Sequence, residues 1–170
     1  TNGGGLYLNT SSPFLASNLI VGNSSAATGG IKLYNNSNPS IWNNDIVGNF
    51  STQAAQAGGI SMQTNSSPLI ANNVIAYNTG YGIRKDDLTC NPQLFSNLLW
   101  SNTPYNYLGL DPGASDIVAD PKFVDAANRN FHLRGDSPGV NAGSSQFVTP
   151  AELDMDGQPR IYGPAMDIGA

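Results

Sequence analysis

The stretch Pro68-Leu69-Ile70-Ala71-Asn72-Asn73-Val74-Ile75-Ala76-Tyr77-Asn78 decides the fold, because the chain repeats its pattern four times. The anchoring prolines are Pro13, Pro39, Pro68 and Pro92. Two residues after each stands an aliphatic side chain (Leu15, Ile41, Ile70, Leu94), and seven after stands another (Ile20, Ile46, Ile75, Leu99). Five residues after each proline comes an asparagine (Asn18, Asn44, Asn73, Asn97), and ten after comes a second (Asn23, Asn49, Asn78, Asn102). Upstream of each proline lies a short alternating segment opened by glycine: Gly5-Leu6-Tyr7-Leu8, Gly30-Ile31-Lys32-Leu33, Gly59-Ile60-Ser61-Met62 and Gly82-Ile83-Arg84-Lys85. Each reads as a strand that begins where a bend costs least. The prolines are spaced 26, 29 and 24 residues apart, constant inside the units and variable between them. Coils of a solenoid with loop insertions behave this way, and the insertions fall at residues 23–29 and 50–58.

One coil of short strands cannot bury its own apolar face. Stacking coils at about 4.8 Å puts equivalent residues on top of one another and makes a continuous interior. A buried asparagine is costly unless its amide is paired, by about 1–3 kcal/mol for each stranded group. In a stack, each amide can bond the one above, the one below and the turn backbone. The repeat therefore predicts asparagine ladders. The competing reading, that these residues mark exposed turns, supports a solenoid equally well.

Composition narrows the classes. Charged residues are 11% of the 170, while Asn, Ser, Thr and Gly abound, which disfavours a helical bundle. A regularly spaced 39% hydrophobic content argues against disorder. With net charge −5 and seven scattered Lys and Arg, there is no phosphate-tracking stripe, so nucleic acid is excluded as the expected partner. No apolar run approaches the length of about 20 residues that spans a membrane. Cys90 is alone, so no intrachain disulfide exists, and it reads as a small packed residue.

The pattern Gly-Ile-x-Leu … Asn-Pro-x-Ile-x-x-Asn-x-Ile-x-x-Asn resembles the right-handed parallel β-helix repeats of the pectin-lyase-like superfamily, over roughly residues 3–110. That resemblance implies an all-β fold with about four regular coils. It does not select an activity, since one fold hosts many functions. The C-terminal third differs. Residues 120–125 and 130–133 read as two strands around a turn. The motifs Ser137-Pro138-Gly139-Val140-Asn141-Ala142-Gly143, Asp154-Met155-Asp156-Gly157 and Met166-Asp167-Ile168-Gly169-Ala170 follow. Their order resembles the end of choice-of-anchor bacterial surface proteins and implies a secreted or cell-surface location. We expect residues 1–110 to form the coils, and residues 111–170 to form a final irregular coil and a cap shielding the last rung. The N-terminal end is expected to be open, a row of unpaired backbone groups that self-assembly would cover.

With Leu6, Ile31, Ile60 and Ile83 inward, Tyr7, Lys32, Ser61 and Arg84 form one outer column, and Asn9, Tyr34, Gln63 and Asp86 the next. Tyrosines among long polar side chains suit sugar rings and uronate carboxylates. Tyr7, Lys32, Tyr34, Gln63, Arg84 and Asp86 are therefore the glycan-contact candidates. A β-eliminating lyase would use Lys32 or Arg84 against the uronate carboxylate, but no longer catalytic signature accompanies them and no catalytic residue is assigned. Lys85 occupies an inward position, so a bulge is expected to turn it out toward a neighbouring Asp. Asp154 and Asp156 resemble the start of a calcium loop but lack its later ligands, and closing an Asx turn is the simpler account. Calcium is the one cofactor suggested. His132 alternates with Phe131 and Leu133 and should face solvent. Leu19, Val74, Leu98, Val21, Val47, Ala76 and Trp100 are apolar on the outer face of the strand that follows, which implies a sheet covered on both sides.

These readings favour an extracellular structural or adhesive β-helix module that contacts polysaccharide or other copies of itself. The alternative is a fragment of a polysaccharide-acting enzyme, a lyase or an epimerase.

Overall fold

A computed structural model describes residues 3–53, 55–148 and 152–170, so Thr1 and Asn2 of the expected N-terminal end lie outside the described residues. The chain winds through three parallel sheets. The first contains Leu6–Asn9, Ile31–Tyr34, Ala57–Met62, Tyr81–Lys85 and Tyr107–Leu108, each paired with the next. The second contains Phe14–Ala16, Ser40–Trp42, Leu69–Ala71 and Gln93–Phe95. The third contains Leu19–Val21, Asp45–Val47, Val74–Ala76, Leu98–Trp100 and Ile117–Val118. Among the described residues there is no α-helix, and none long and apolar enough to cross a membrane.

Register follows the repeat. Leu15, Ile41, Ile70 and Leu94 stack in line, as do Ile20, Ile46, Ile75 and Leu99. These and the inward residues of the first sheet make one continuous core, in which Ile31, Leu33, Ile41, Ile46, Ile60, Met62, Ile70, Ile75 and Ile83 are fully buried. Cys90 joins that core at 1% exposure.

The asparagines form two ladders, so the exposed-turn reading falls. Asn18 N–H and Nδ2 both donate to Asn44 Oδ1, Asn44 to Asn73, and Asn73 to Asn97, at 2.9–3.1 Å. The second ladder runs from Asn23 through Asn49 and Asn78 to Asn102 in the same way. Each interior amide also reaches back to a carbonyl of the preceding coil, as Asn73 Nδ2 does to Ile41 O at 2.8 Å. The sequence reading missed the last members: Asp116 Oδ1 closes the first ladder and Asn106 Oδ1 the second. Just before the ladder residues the chain turns a corner in the left-handed region, at Ser17, Asn43, Asn72 and Ser96, and at Gly22, Gly48, Tyr77 and Ser101. Such corners suit Gly and Asn best.

Strand pairing continues past residue 110 to Val118, and Leu110 packs on the core. Residues 120–148 and 152–170 behave differently from an end cap. After the Phe123–Asp125 and Asn130–Leu133 hairpin, the chain runs back along the flank of the stack. Phe123, Phe131 and Ile168 bury the outer faces of Val47, Val74, Ala76 and Leu98. Ser144 and Phe147 carbonyls accept from Asn72 and Asn43 in the corners of two different coils. Phe147 packs on Trp42 (ring centroids 5.4 Å apart) and Phe95 (5.2 Å), the residues in register on either side of the buried Ala71. The physical reason is the apolar outer face of the third sheet, which needs lateral cover more than the last rung needs a lid.

Candidate functional site

The first sheet carries the residues predicted to face a glycan. Pairing places Tyr7, Lys32, Ser61 and Arg84 in one outer column and Asn9 beside Tyr34 in the next. Gln63 and Asp86 continue that second column, their N–H groups bonding Leu33 O and Met62 O. All six candidates therefore stand on one face, as alternation demands.

Their accessibility is uneven. Tyr7 is 40% and Tyr34 38% exposed, whereas Lys32 shows only 9% and Ser61 none. Residues of the two insertions cover the middle of the column. Thr28 Oγ1 meets Ser61 Oγ at 2.6 Å. Arg84 Nη1 donates to the Ala55 carbonyl and, at 2.7 Å, to Gln56 Oε1, while Nη2 lies 2.5 Å from Asp86 Oδ1. Arg84 thus ties the loop to the sheet. Burial pushes the Asp86 carboxyl up, and Arg84 and Lys32 pull it back. Burial likewise lowers Lys32, with Asp86 opposing. The three form one partly desolvated charge group on the same outer face as the tyrosines.

Lys85 corrects an expectation. It stays in register with Met62, and the irregularity in this pairing lies between Tyr81 and Ile83. Asp86 pairs with Arg84 instead, and Lys85 makes no ion pair among the described residues. The following coil approaches Lys85 through Gly109, which leaves that position in line.

A second polar concentration lies on the flank, where the C-terminal segment meets the third sheet, around a cleft of about 470 Å³. Asp45 lines it, shares an outward column with Leu19, Val74 and Leu98 and is 6% exposed. Burial raises its carboxyl to about 7, opposed by the Ala170 N–H, Arg160 and His132. Gly169, at φ +116°, packs so closely that a Cβ there would meet Asp45 Oδ1 at 2.6 Å. Arg160 is 9% exposed and donates through Nη2 to Gly169 O at 2.5 Å and Asp167 O at 3.3 Å. The sequence reading missed this site, although one acid in an otherwise apolar column was its visible signal.

Asp154 and Asp156 also line this cleft. Asp154 Oδ1 accepts the N–H groups of Asp156 (2.9 Å) and Gln158 (2.7 Å), an Asx turn. Asp156 Oδ2 lies 2.6 Å from His132 Nε2, and His132 is exposed as expected. Among the described residues no three His, Cys, Asp or Glu side chains are grouped to hold a metal ion.

The model of a family described as the right-handed β-helix region matches residues 1–119. The chain belongs to this right-handed β-helix family. The match ends one residue beyond the last strand of the third sheet, at Val118, so the flank-covering segment of this β-helix protein lies outside it. No curated protein and no solved structure matches the chain.

Proposed function

We propose that this β-helix protein is an extracellular module that contacts an extended, uronate-bearing polysaccharide along the outer face of its first sheet. The observation that carries the reading is that Tyr7 and Tyr34, both more than a third exposed, stand in neighbouring columns of the same outer face as the Lys32–Arg84–Asp86 charge group. Tyrosine offers an apolar body to the C–H face of a sugar and a hydroxyl to its rim. Three of the chain's seven Lys and Arg residues, Lys32, Arg84 and Lys85, belong to this sheet, in a protein of net charge −5. They favour an acidic over a neutral chain, as a field across the face rather than a direct grip. Side chains repeated at the strand spacing of about 4.8 Å make a straight ridge, which suits a polymer better than a compact ligand.

Action as a polysaccharide lyase or epimerase is the alternative, and it would need a free cation and an open base. Arg84 is committed to the loop and to Asp86, whose side chain is 6% exposed, which weighs toward binding without turnover. Incubation with polygalacturonate and alginate, followed by ultraviolet detection of unsaturated ends, separates the readings. Binding that weakens with salt and yields no such ends supports the module. Turnover that Lys32→Ala or Arg84→Ala abolishes would establish the enzyme.

A further inference from the structure

We infer that a groove beside the corners of the first three coils binds a small carboxylate with an apolar body, its head group held by Arg129. The corner that follows the third sheet is occupied in successive coils by Gly22, Gly48, Tyr77 and Ser101, all in the left-handed region. A Cβ at Gly48 would meet no atom within 4 Å, and one at Gly22 would meet only Arg129 Nη2, at 3.9 Å. Two corners are thus open, and the third carries an aromatic wall. Tyr77 is held there by Phe123, with ring centroids 6.2 Å apart, and by its hydroxyl, which donates to Asp120 Oδ1 at 3.4 Å. The outcome is a groove of about 410 Å³, walled by Val21, Val47 and Tyr77 of the stack and by Ala126, Ala127 and Phe131 of the C-terminal hairpin. That size suits a compact ligand. Tyr77 is 39% exposed, and Val21, Ala126 and Ala127 are not buried either, so a ligand has apolar surface to cover.

Arg129 is the one charged residue of this lining. It caps the Ala126–Asn128 turn in the left-handed region, its N–H donating to Ala126 O at 3.2 Å, which fixes where its side chain starts. The exposed guanidinium has no ion pair and no hydrogen bond among the described residues. Arg129 also borders the flank cleft, but Asp45, Asp154, Asp156 and Asp167 line that space, so an anion is repelled there and accepted on the apolar side. A guanidinium takes a carboxylate through two parallel N–H···O bonds, while an ammonium would be repelled and a neutral head group would forgo the charge. The ligand class differs from that of the first-sheet face, which lacks an apolar groove and suits a polymer.

The test uses the full chain with 3-phenylpropionate and its neutral and cationic counterparts, 3-phenylpropanamide and 3-phenylpropylammonium, read by titration of amide shifts at low salt. The acid should shift amides at Gly48, Tyr77 and Ala127 and bind about threefold or more tighter than the amide, with the ammonium weakest. Arg129→Asn removes the charge and suits the left-handed backbone, so it should bring the acid down to the affinity of the amide. Arg129→Lys should keep most of the preference. Gly48→Tyr repeats the corner residue of the next coil, so it should stay folded and lose about tenfold or more for the acid. Tyr34→Ala should lose none. Equal binding of acid and amide by the wild type, an unchanged preference in folded Arg129→Asn, undiminished binding by folded Gly48→Tyr, or no shift from the acid up to its solubility would overturn the site. None of these outcomes bears on polymer binding at Tyr7 and Tyr34.

Discussion

Replacing Asn73 by alanine should cost this domain about 4 kcal/mol, although the side chain touches no ligand. Asn73 is fully buried and makes five side-chain hydrogen bonds. Nδ2 donates to Ile41 O, Ala71 O and Asn97 Oδ1 at 2.8–3.0 Å, and Oδ1 accepts from Asn44 N–H and Nδ2. Alanine leaves Asn44 N–H without its acceptor, while Asn97 Oδ1 keeps the Asn73 N–H and Ala71 O keeps the Asn43 N–H. One stranded buried donor at about 1–3 kcal/mol, with the four other lost bonds at about 0.5–1.5 each, gives roughly 3–9 kcal/mol, and about 4 is taken from its lower half because Asn97 Oδ1 and Ala71 O keep partners. Against a total stability of about 5–15 kcal/mol, that is severe. In urea, with a slope near 2 kcal/mol/M, the midpoint should fall by about 2 M with the slope retained. Asn18→Ala is the control, because Asn18 is exposed and only donates to the ladder, to Asn44 Oδ1 and to Ala16 O. Its cost should stay below about 1 kcal/mol. Equal midpoints for the two variants would refute the ladder as a stabilising device.

Two further outcomes follow from the same geometry. Asp45 has its folded-state value raised from 3.8 to about 7, so the folded state holds the proton more tightly. Stability should therefore fall as pH rises from about 4 to 7, by on the order of 4 kcal/mol relative to Asp45→Asn, whose loss of that slope urea midpoints at pH 5 and pH 8 would reveal. Parallel slopes in the two proteins would show that Asp45 is not desolvated. Ser101 is exposed at φ +51°, in the corner where two other coils place Gly22 and Gly48. Ser101→Gly should stabilise by a few tenths to about 1 kcal/mol and raise the melting temperature by about 2 °C in calorimetry. A lower melting temperature would mean that Ser101 contributes contacts the corner geometry does not reveal.

The coils were legible because a fixed offset between Pro, Ile and Asn leaves one arrangement that buries every apolar residue and pairs every amide. Asn73 and Asn78 read as ladder members for that reason. Legibility stopped where the offset stopped. Asp116 and Asn106 close the ladders only 19 and 4 residues after Asn97 and Asn102, outside the repeat. The path of residues 120–170 depends on non-repeating contacts, so only its target was visible, as the apolar outer column of Leu19, Val74 and Leu98. Lys32 and Arg84 were correctly placed on the outer face, but alternation carries no information about a loop folding over it. Asp45 was readable in principle as the acid interrupting that apolar column. Arg160, whose charge acts on it in the same cleft, stands more than 100 residues away with no periodic relation.

The central functional claim rests on Tyr7 and Tyr34, and calorimetric titration of polygalacturonate into the wild type and the Tyr7→Ala/Tyr34→Ala double variant tests it most directly. Binding at low salt that drops about tenfold or more in the double variant, with melting temperatures within a degree or two, is the predicted result. Undiminished binding by the double variant, or no heat from the wild type at any salt concentration, would contradict the assignment of this face to a uronate polymer.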